Sequence, residues 1–139
     1  MPAANVVGRR DEGSDVMLGR AAWAGSQRYG GGVWSGDTRS TWADFNQQFK
    51  AGLNMVMSGI TYWTTDIGGF GRDVHTPGSG ITTDPYMREL IVRWFQWGAF
   101  CPLFRLHGCR TGPTWPAGEP GLCGQTPSNE VWMYGEEAE

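Results

Sequence analysis

The sequence of 139 residues has no apolar run near the ~20 residues that a membrane-spanning helix needs. Its start, Met1 to Arg20, holds arginines and acidic residues but no apolar core segment, so it does not read as a signal peptide. Positive charge is not in excess. Eleven Lys and Arg against fourteen Asp and Glu give a formal net charge of −3, which offers no basic surface for nucleic acid or an anionic membrane. Cysteine is scarce as well. Cys101, Cys109 and Cys123 match no zinc spacing, and their odd number argues against a disulfide scaffold. Cys109 and Cys123 share one loop-like stretch, but the expectation is that no bridge forms. No metal-ligand or cofactor motif is evident, nor any internal repeat, linker or domain boundary. Residues 1–139 read as one unit, or part of one.

What the sequence does have is tryptophan, eight residues of it, beside 22 glycines. Flat amphipathic rings next to flexible backbone suit a pocket that stacks on a ligand such as a sugar, although tryptophan also fills cores. The pattern of elements alternates. Val16 to Leu18 and Gly31 to Trp34 read as short strands. Ser40 or Thr41 caps a helix whose apolar positions are Trp42, Phe45, Phe49, Leu53 and Val56, and Gly59 ends it. Ile60, Tyr62 and Trp63 are strand-like. Thr83 or Asp84 caps a second helix, with Pro85 in its first turn and Met87, Leu90, Ile91, Trp94 and Phe95 on one face. Phe100 to Phe104 reads as a further strand, and Gly108 to Asn129 as a long loop. Such alternation predicts an α/β fold with parallel strands joined by helical crossovers. Ala21 to Gly30 is too short to be one of those helices.

Four polar residues, Arg20, Asp37, Asp66 and His107, each follow a candidate strand within about three positions. Parallel strands end on one side of a sheet, which is where such proteins build their sites. Trp23, Trp34, Trp63 and Phe70 accompany them. Each polar residue also has an ordinary reading: Asp37 as a turn residue, Asp66 as a loop brace, His107 as a partner for nearby backbone, Arg20 in a surface ion pair. Their recurrence at successive strand ends favours a site. Carboxylates, a cation and aromatic rings suit a neutral polyhydroxyl ligand. Two carboxylates suggest glycoside hydrolysis, with one attacking and one exchanging protons. Spacing alone does not divide those roles between Asp37 and Asp66.

Three long stretches carry a resemblance. Arg20-Ala-Ala-Trp-Ala-Gly-Ser-Gln-Arg-Tyr29 with Val33-Trp-Ser-Gly-Asp37 resembles the acid/base segment of family 31 glycoside hydrolases, a family that contains α-glucosidases and α-xylosidases. Tyr62-Trp-Thr-Thr-Asp-Ile-Gly-Gly-Phe70 and Arg93 to Gly108 resemble the next two strand-end motifs, in the right order. The match covers roughly Arg20 to His107, and Asn129 to Glu137 is also similar. The family fold is a (β/α)8 TIM barrel, and the resemblance places this chain over its C-terminal half, about the last four strands.

By that resemblance Asp37 is the catalytic acid/base. Arg20, Asp66 and His107 match positions that bind sugar hydroxyls, and Trp34 and Phe70 match positions that line the same pocket. No metal or other cofactor is implied. The expected partner is an α-linked oligosaccharide or glycoside, with terminal glucose or xylose. The family nucleophile is an aspartate on an earlier strand, in a motif that is not found before Arg20. The chain also stops at Glu136-Glu-Ala-Glu139, where a family helix would begin or continue. It is therefore expected to be a fragment of a retaining α-glycosidase that lacks the N-terminal half of its barrel and is inactive alone. The alternative is a non-catalytic sugar-binding or interaction protein derived from such a barrel. The sugar, the linkage, the oligomeric state and the compartment stay open.

Overall fold

A computed structural model describes residues 17–110 and 129–138. Three short strands, β1 (Leu18–Gly19), β2 (Gly32–Trp34) and β3 (Trp63–Thr64), form a sheet in sequence order, and both pairings are parallel. Two helices follow β2 and β3 respectively: α1 (Trp42–Met57) and α2 (Pro85–Gly98). Val16, proposed for the first strand, and most of the expected loop, residues 111–128, lie outside the described residues. Ala21 to Gly30 contains only a short 3-10 turn, Ser26–Tyr29.

Both helix starts are set by local chemistry. The Thr41 hydroxyl accepts the Asp44 N–H at 3.1 Å, and the Asp84 carboxylate accepts the Tyr86 N–H at 2.8 Å. Each satisfies one of the donors that a first helical turn leaves open. Pro85, whose missing N–H costs nothing there, occupies the first position of α2.

The register decides which side chains meet. Val33 pairs with Trp63, and Trp34 with Thr64. Because side chains alternate across a strand, Val33 and Trp63 share the face that α1 and α2 cover. Trp63 is buried against Trp97, ring centroids 5.7 Å apart, and close to Gly52 of α1. Gly32, Trp34 and Thr64 share the other face, where Leu103 lies over Gly32 and the Thr64 hydroxyl reaches the Leu103 carbonyl at 2.5 Å. The core is Ile67 with Met87, Leu90, Ile91, Trp94 and Tyr134. Burying side chains of this size contributes about 1.5–3 kcal/mol each.

One expectation needs correction. Phe100 to Phe104 is not a strand. Phe100 and Cys101 donate back to Trp97 and Gly98, carrying the end of α2 into a turn, and Phe100 is 87% exposed. Pro102 has no N–H to offer a ladder. Parallel pairing begins only later, with Ile67 donating to the Arg105 carbonyl and a bridge between Ile67 and Leu106. The apolar spacing of α1, by contrast, does form a helix, but most of its stripe is not buried. Phe49, Leu53 and Val56 are exposed, and Gly52 is the one buried position on that helix among the described residues. Trp42, Phe45 and Phe49 line an open hollow with Asn46 and Trp97.

Candidate functional site

Strand ends bring the candidate residues to one rim. Arg20 directly follows β1. Asp37 follows β2 across a tight turn at Gly36, which has a positive φ of 79°. A side chain at that position would meet the Arg20 guanidinium at 2.9 Å. Arg20 Nη2 lies 3.5 Å from Asp37 Oδ2, with about half or more of both side chains in solvent. An exposed pair of this kind adds little stability, about 0–1 kcal/mol, so it is not a folding device. Arg20 also stands 6.0 Å from the centre of the Trp34 ring.

Asp66 follows β3 and is completely buried. Arg105 donates to its Oδ1, while its Oδ2 has no hydrogen-bond partner among the described residues. Arg105 keeps 31% of its side chain exposed and lies 5.7 Å from the Trp34 ring. Trp34 therefore has two guanidinium groups near it, at distances typical of cation–π contacts. Phe70 and His107 pack with ring centroids 5.4 Å apart. Asp66 feels the charges of Arg105, His107, Asp37 and Arg110, which ties the clusters into one neighbourhood.

Arg20, Trp34, Asp37, Asp66, Phe70 and His107 thus gather at the carboxyl ends of the strands. Trp63 does not join them, since its register turns it to the helix side, and Trp23 stands 83% exposed in the loop after Arg20. Arg105 is the residue that sequence reading passed over. It lies two positions before His107, so an extended backbone puts both on one face. The Cys101 thiol is free, and burial pushes it up to about 11, so it offers almost no thiolate for nucleophilic attack at neutral pH. Cys109 is disulfide-bonded, contrary to the expectation of no bridge, and Cys123, its candidate partner, lies outside the described residues. Among the described residues no group of three or more His, Cys, Asp and Glu could hold a metal ion, and no helix is long and apolar enough to cross a membrane.

Burial raises the Asp66 carboxyl above the usual aspartate range. The nearby Asp37 adds to the rise, while Arg105, His107 and Arg110 oppose it. A carboxyl raised on folding holds its proton more tightly folded than unfolded. Its stabilising contribution is complete below the ordinary aspartate range and is lost as pH rises through the raised value. Asp66→Asn is therefore expected to shift the melting temperature more favourably at pH 7 than at pH 4, relative to wild type at each pH. Thermal unfolding of both proteins at the two pH values checks this, and a more favourable shift at pH 4 would contradict it.

The chain is similar to known proteins over most of its length. The Glycosyl hydrolases family 31 TIM-barrel domain matches residues 2–139. An "Uncharacterized family 31 glucosidase ORF2" of Pseudescherichia vulneris is 52% identical over 106 residues, which are 74% of this chain and 18% of that protein. Among solved structures, a xylosidase from Aspergillus niger superposes with a TM-score of 0.77 at 40% identity, over 88% of this chain and 16% of its own. A family 31 α-xylosidase from a soil metagenome, complexed with xylose, gives a TM-score of 0.69 at 49% identity, over 88% of this chain and 18% of its own. The chain thus spans less than a fifth of each of these relatives. With its parallel strands and covering helices, it is an α/β part of a TIM barrel, and it belongs to glycoside hydrolase family 31.

Proposed function

We propose that this chain supplies the acid/base side of the site of a retaining α-glycosidase that removes terminal α-linked xylose or glucose. On this reading the three strands and the bridged segment at Leu106 are the last four strands of the barrel. The observation that carries the proposal is the pair of contrasting carboxylates. Asp37 is half exposed beside Arg20 at 3.5 Å, free to protonate a glycosidic oxygen and later to take a proton from water. Asp66 is enclosed and held by Arg105, so it has no open path to an anomeric carbon.

A retaining site needs an attacking carboxylate about 5–5.5 Å from the acid. The enclosure of Asp66 argues against it as the attacking group, and on this reading that group comes from outside this chain. Chain alone should then bind sugar weakly and hydrolyse nothing, since a proton donor cannot replace a nucleophile. Phe70, His107 and Trp34 would cover and orient the ring, with Arg20 and His107 hydrogen-bonding its hydroxyls. Both xylosidases and a glucosidase are among the similar proteins, which supports a terminal xylose or glucose as the sugar.

The test is titration of the chain with xylose and with glucose, followed by tryptophan fluorescence. His107→Ala is expected to weaken binding by roughly 1–3 kcal/mol, the cost of leaving a sugar hydroxyl unpaired. Unchanged affinity in that variant would remove His107 from the site, and hydrolysis by the chain alone would overturn the division of labour.

A further inference from the structure

Arg110 lies just beyond the site and is 1% exposed, yet each of its guanidinium nitrogens donates a hydrogen bond. Its Nε donates to Asn129 Oδ1 at 2.9 Å and to the Tyr134 hydroxyl at 2.6 Å. Its Nη1 donates to Ser40 Oγ at 3.1 Å and to the Cys109 carbonyl at 3.0 Å, and its Nη2 to the Gly69 carbonyl at 2.6 Å. A buried cation is costly unless its donors are met, and here each guanidinium nitrogen has an acceptor. Asn129 extends the grip, donating from Nδ2 to the Ile67 carbonyl and, at 3.5 Å, to that of His107. Tyr134 closes it, donating to Asn129 Oδ1. Burial pushes the Tyr134 hydroxyl up, against the pull of Arg110, which keeps it a donor.

Two glycines make room for this arrangement. A Cβ on Gly68, whose φ is +88°, would meet Ile91 at 2.5 Å, Arg110 at 2.8 Å and Asn129 at 3.1 Å. One on Gly108 would meet the Gly69 carbonyl at 2.5 Å. The carbonyls gripped by Asn129 and Arg110 flank Gly68, inside the loop that starts at Asp66 and ends at Phe70. The Cys109 N–H joins the Phe70 carbonyl at 2.6 Å, so the segment after His107 is tied to the same loop.

We propose that Arg110, Asn129 and Tyr134 form a positioning clamp that holds the carbonyls on either side of Gly68 and so fixes where Asp66, Phe70 and His107 stand. None of the three need touch the sugar. Their effect on sugar binding rests on the function proposed above, whereas their effect on geometry does not. A lysine at position 110 keeps the charge but offers a single point of donors that cannot span Gly69, Ser40 and Tyr134 together.

The chain has two histidines, which makes the imidazole proton spectrum a direct readout. His107 sits beside the Phe70 ring, while His75 lies in a separate turn where its backbone N–H donates to Asp73 Oδ1. In Arg110→Lys the His107 signals are expected to move as the Phe70 ring current changes, with those of His75 unmoved and helical circular dichroism retained. Xylose or glucose binding should weaken about tenfold, roughly 1.4 kcal/mol. Tyr134→Phe is the milder variant, expected to move His107 in the same direction by less, and it decides the matter if Arg110→Lys fails to fold. A folded variant whose His107 signals stay in place would overturn the clamp. If wild type binds neither sugar, the functional reading falls, and the histidine spectra still decide the clamp.

Discussion

Gly69→Ala is expected to destabilise the chain by about 2–4 kcal/mol, from a strained backbone and a forced separation of two packed segments. Gly69 has a φ of +80°, and a Cβ there would lie 2.6–2.8 Å from the backbone of Arg39 and Ser40. A flexible side chain can swing away from such a contact, but backbone cannot. The affected junction is held by several bonds. Phe70 N–H donates to the Thr38 carbonyl at 2.9 Å, Ser40 N–H to the Gly71 carbonyl at 2.7 Å, and a parallel bridge joins Arg39 to Gly71. Parting the segments would therefore loosen the start of α1 together with the loop that carries Asp66 and Phe70. Gly71→Ala is the matched control, since its Cβ would meet nothing within 4 Å and its backbone is not left-handed. Urea unfolding of the two variants should separate them by at least 1.5 kcal/mol, an estimate from the same strain terms. Equal midpoints would mean that this close approach does not constrain the fold.

Asp37→Asn carries the other large effect. It is to be measured in a completed enzyme, in which residues 17–138 replace the matching stretch of the Aspergillus niger xylosidase. General acid/base catalysis is worth about 10²–10⁴-fold, and a substrate with a poor leaving group should lose nearly all of it. A nitrophenyl glycoside needs little help from a proton in the first step, so formation of the covalent intermediate should be slowed far less. Water attack in the second step still needs the base, and a small anionic nucleophile such as azide, which needs no deprotonation, should restore turnover there. The substitution is nearly isosteric, and the ion pair it breaks is half exposed. Folding should therefore be unaffected, and lost activity reports on chemistry.

Much of this was legible because the local signals carried their own causes. Thr41 and Asp84 cap helices because their side chains accept first-turn N–H groups, and that requires only the neighbouring residues. The apolar spacing of α2 marked its buried face, and Met87, Leu90, Ile91 and Trp94 are buried. Arg20, Asp37 and Asp66 do follow β1, β2 and β3, whereas His107 follows an isolated bridge at Leu106 and not the strand expected over Phe100 to Phe104.

What the sequence left out depends on distant partners. Whether Trp63 or Trp34 faces the site rests on register, which the pairing of Val33 with Trp63 decides. Phe100 to Phe104 has strand-like composition, yet turn bonds from the end of α2 and the missing N–H of Pro102 keep it out of the sheet. The stripe on α1 has core-like spacing but remains largely uncovered in this chain, because spacing reports a helix face and not what packs on it. From sequence alone Arg105 and Arg110 have no assigned role. Their roles appear only when Asp66, Gly69, Asn129 and Tyr134 come within reach across 19 to 41 positions of sequence.

The proposed function rests on Asp37 as the proton donor of a sugar-cleaving site. Its most direct test is the ratio of kcat/KM losses caused by Asp37→Asn on two substrates of the completed enzyme, an α-xyloside with a nitrophenyl leaving group and one with an alkyl leaving group. The expected loss on the alkyl glycoside is at least about 100-fold greater than on the nitrophenyl glycoside, the size of a general-acid contribution. Equal losses on both would show that Asp37 does not donate the proton, and the site would need another acid.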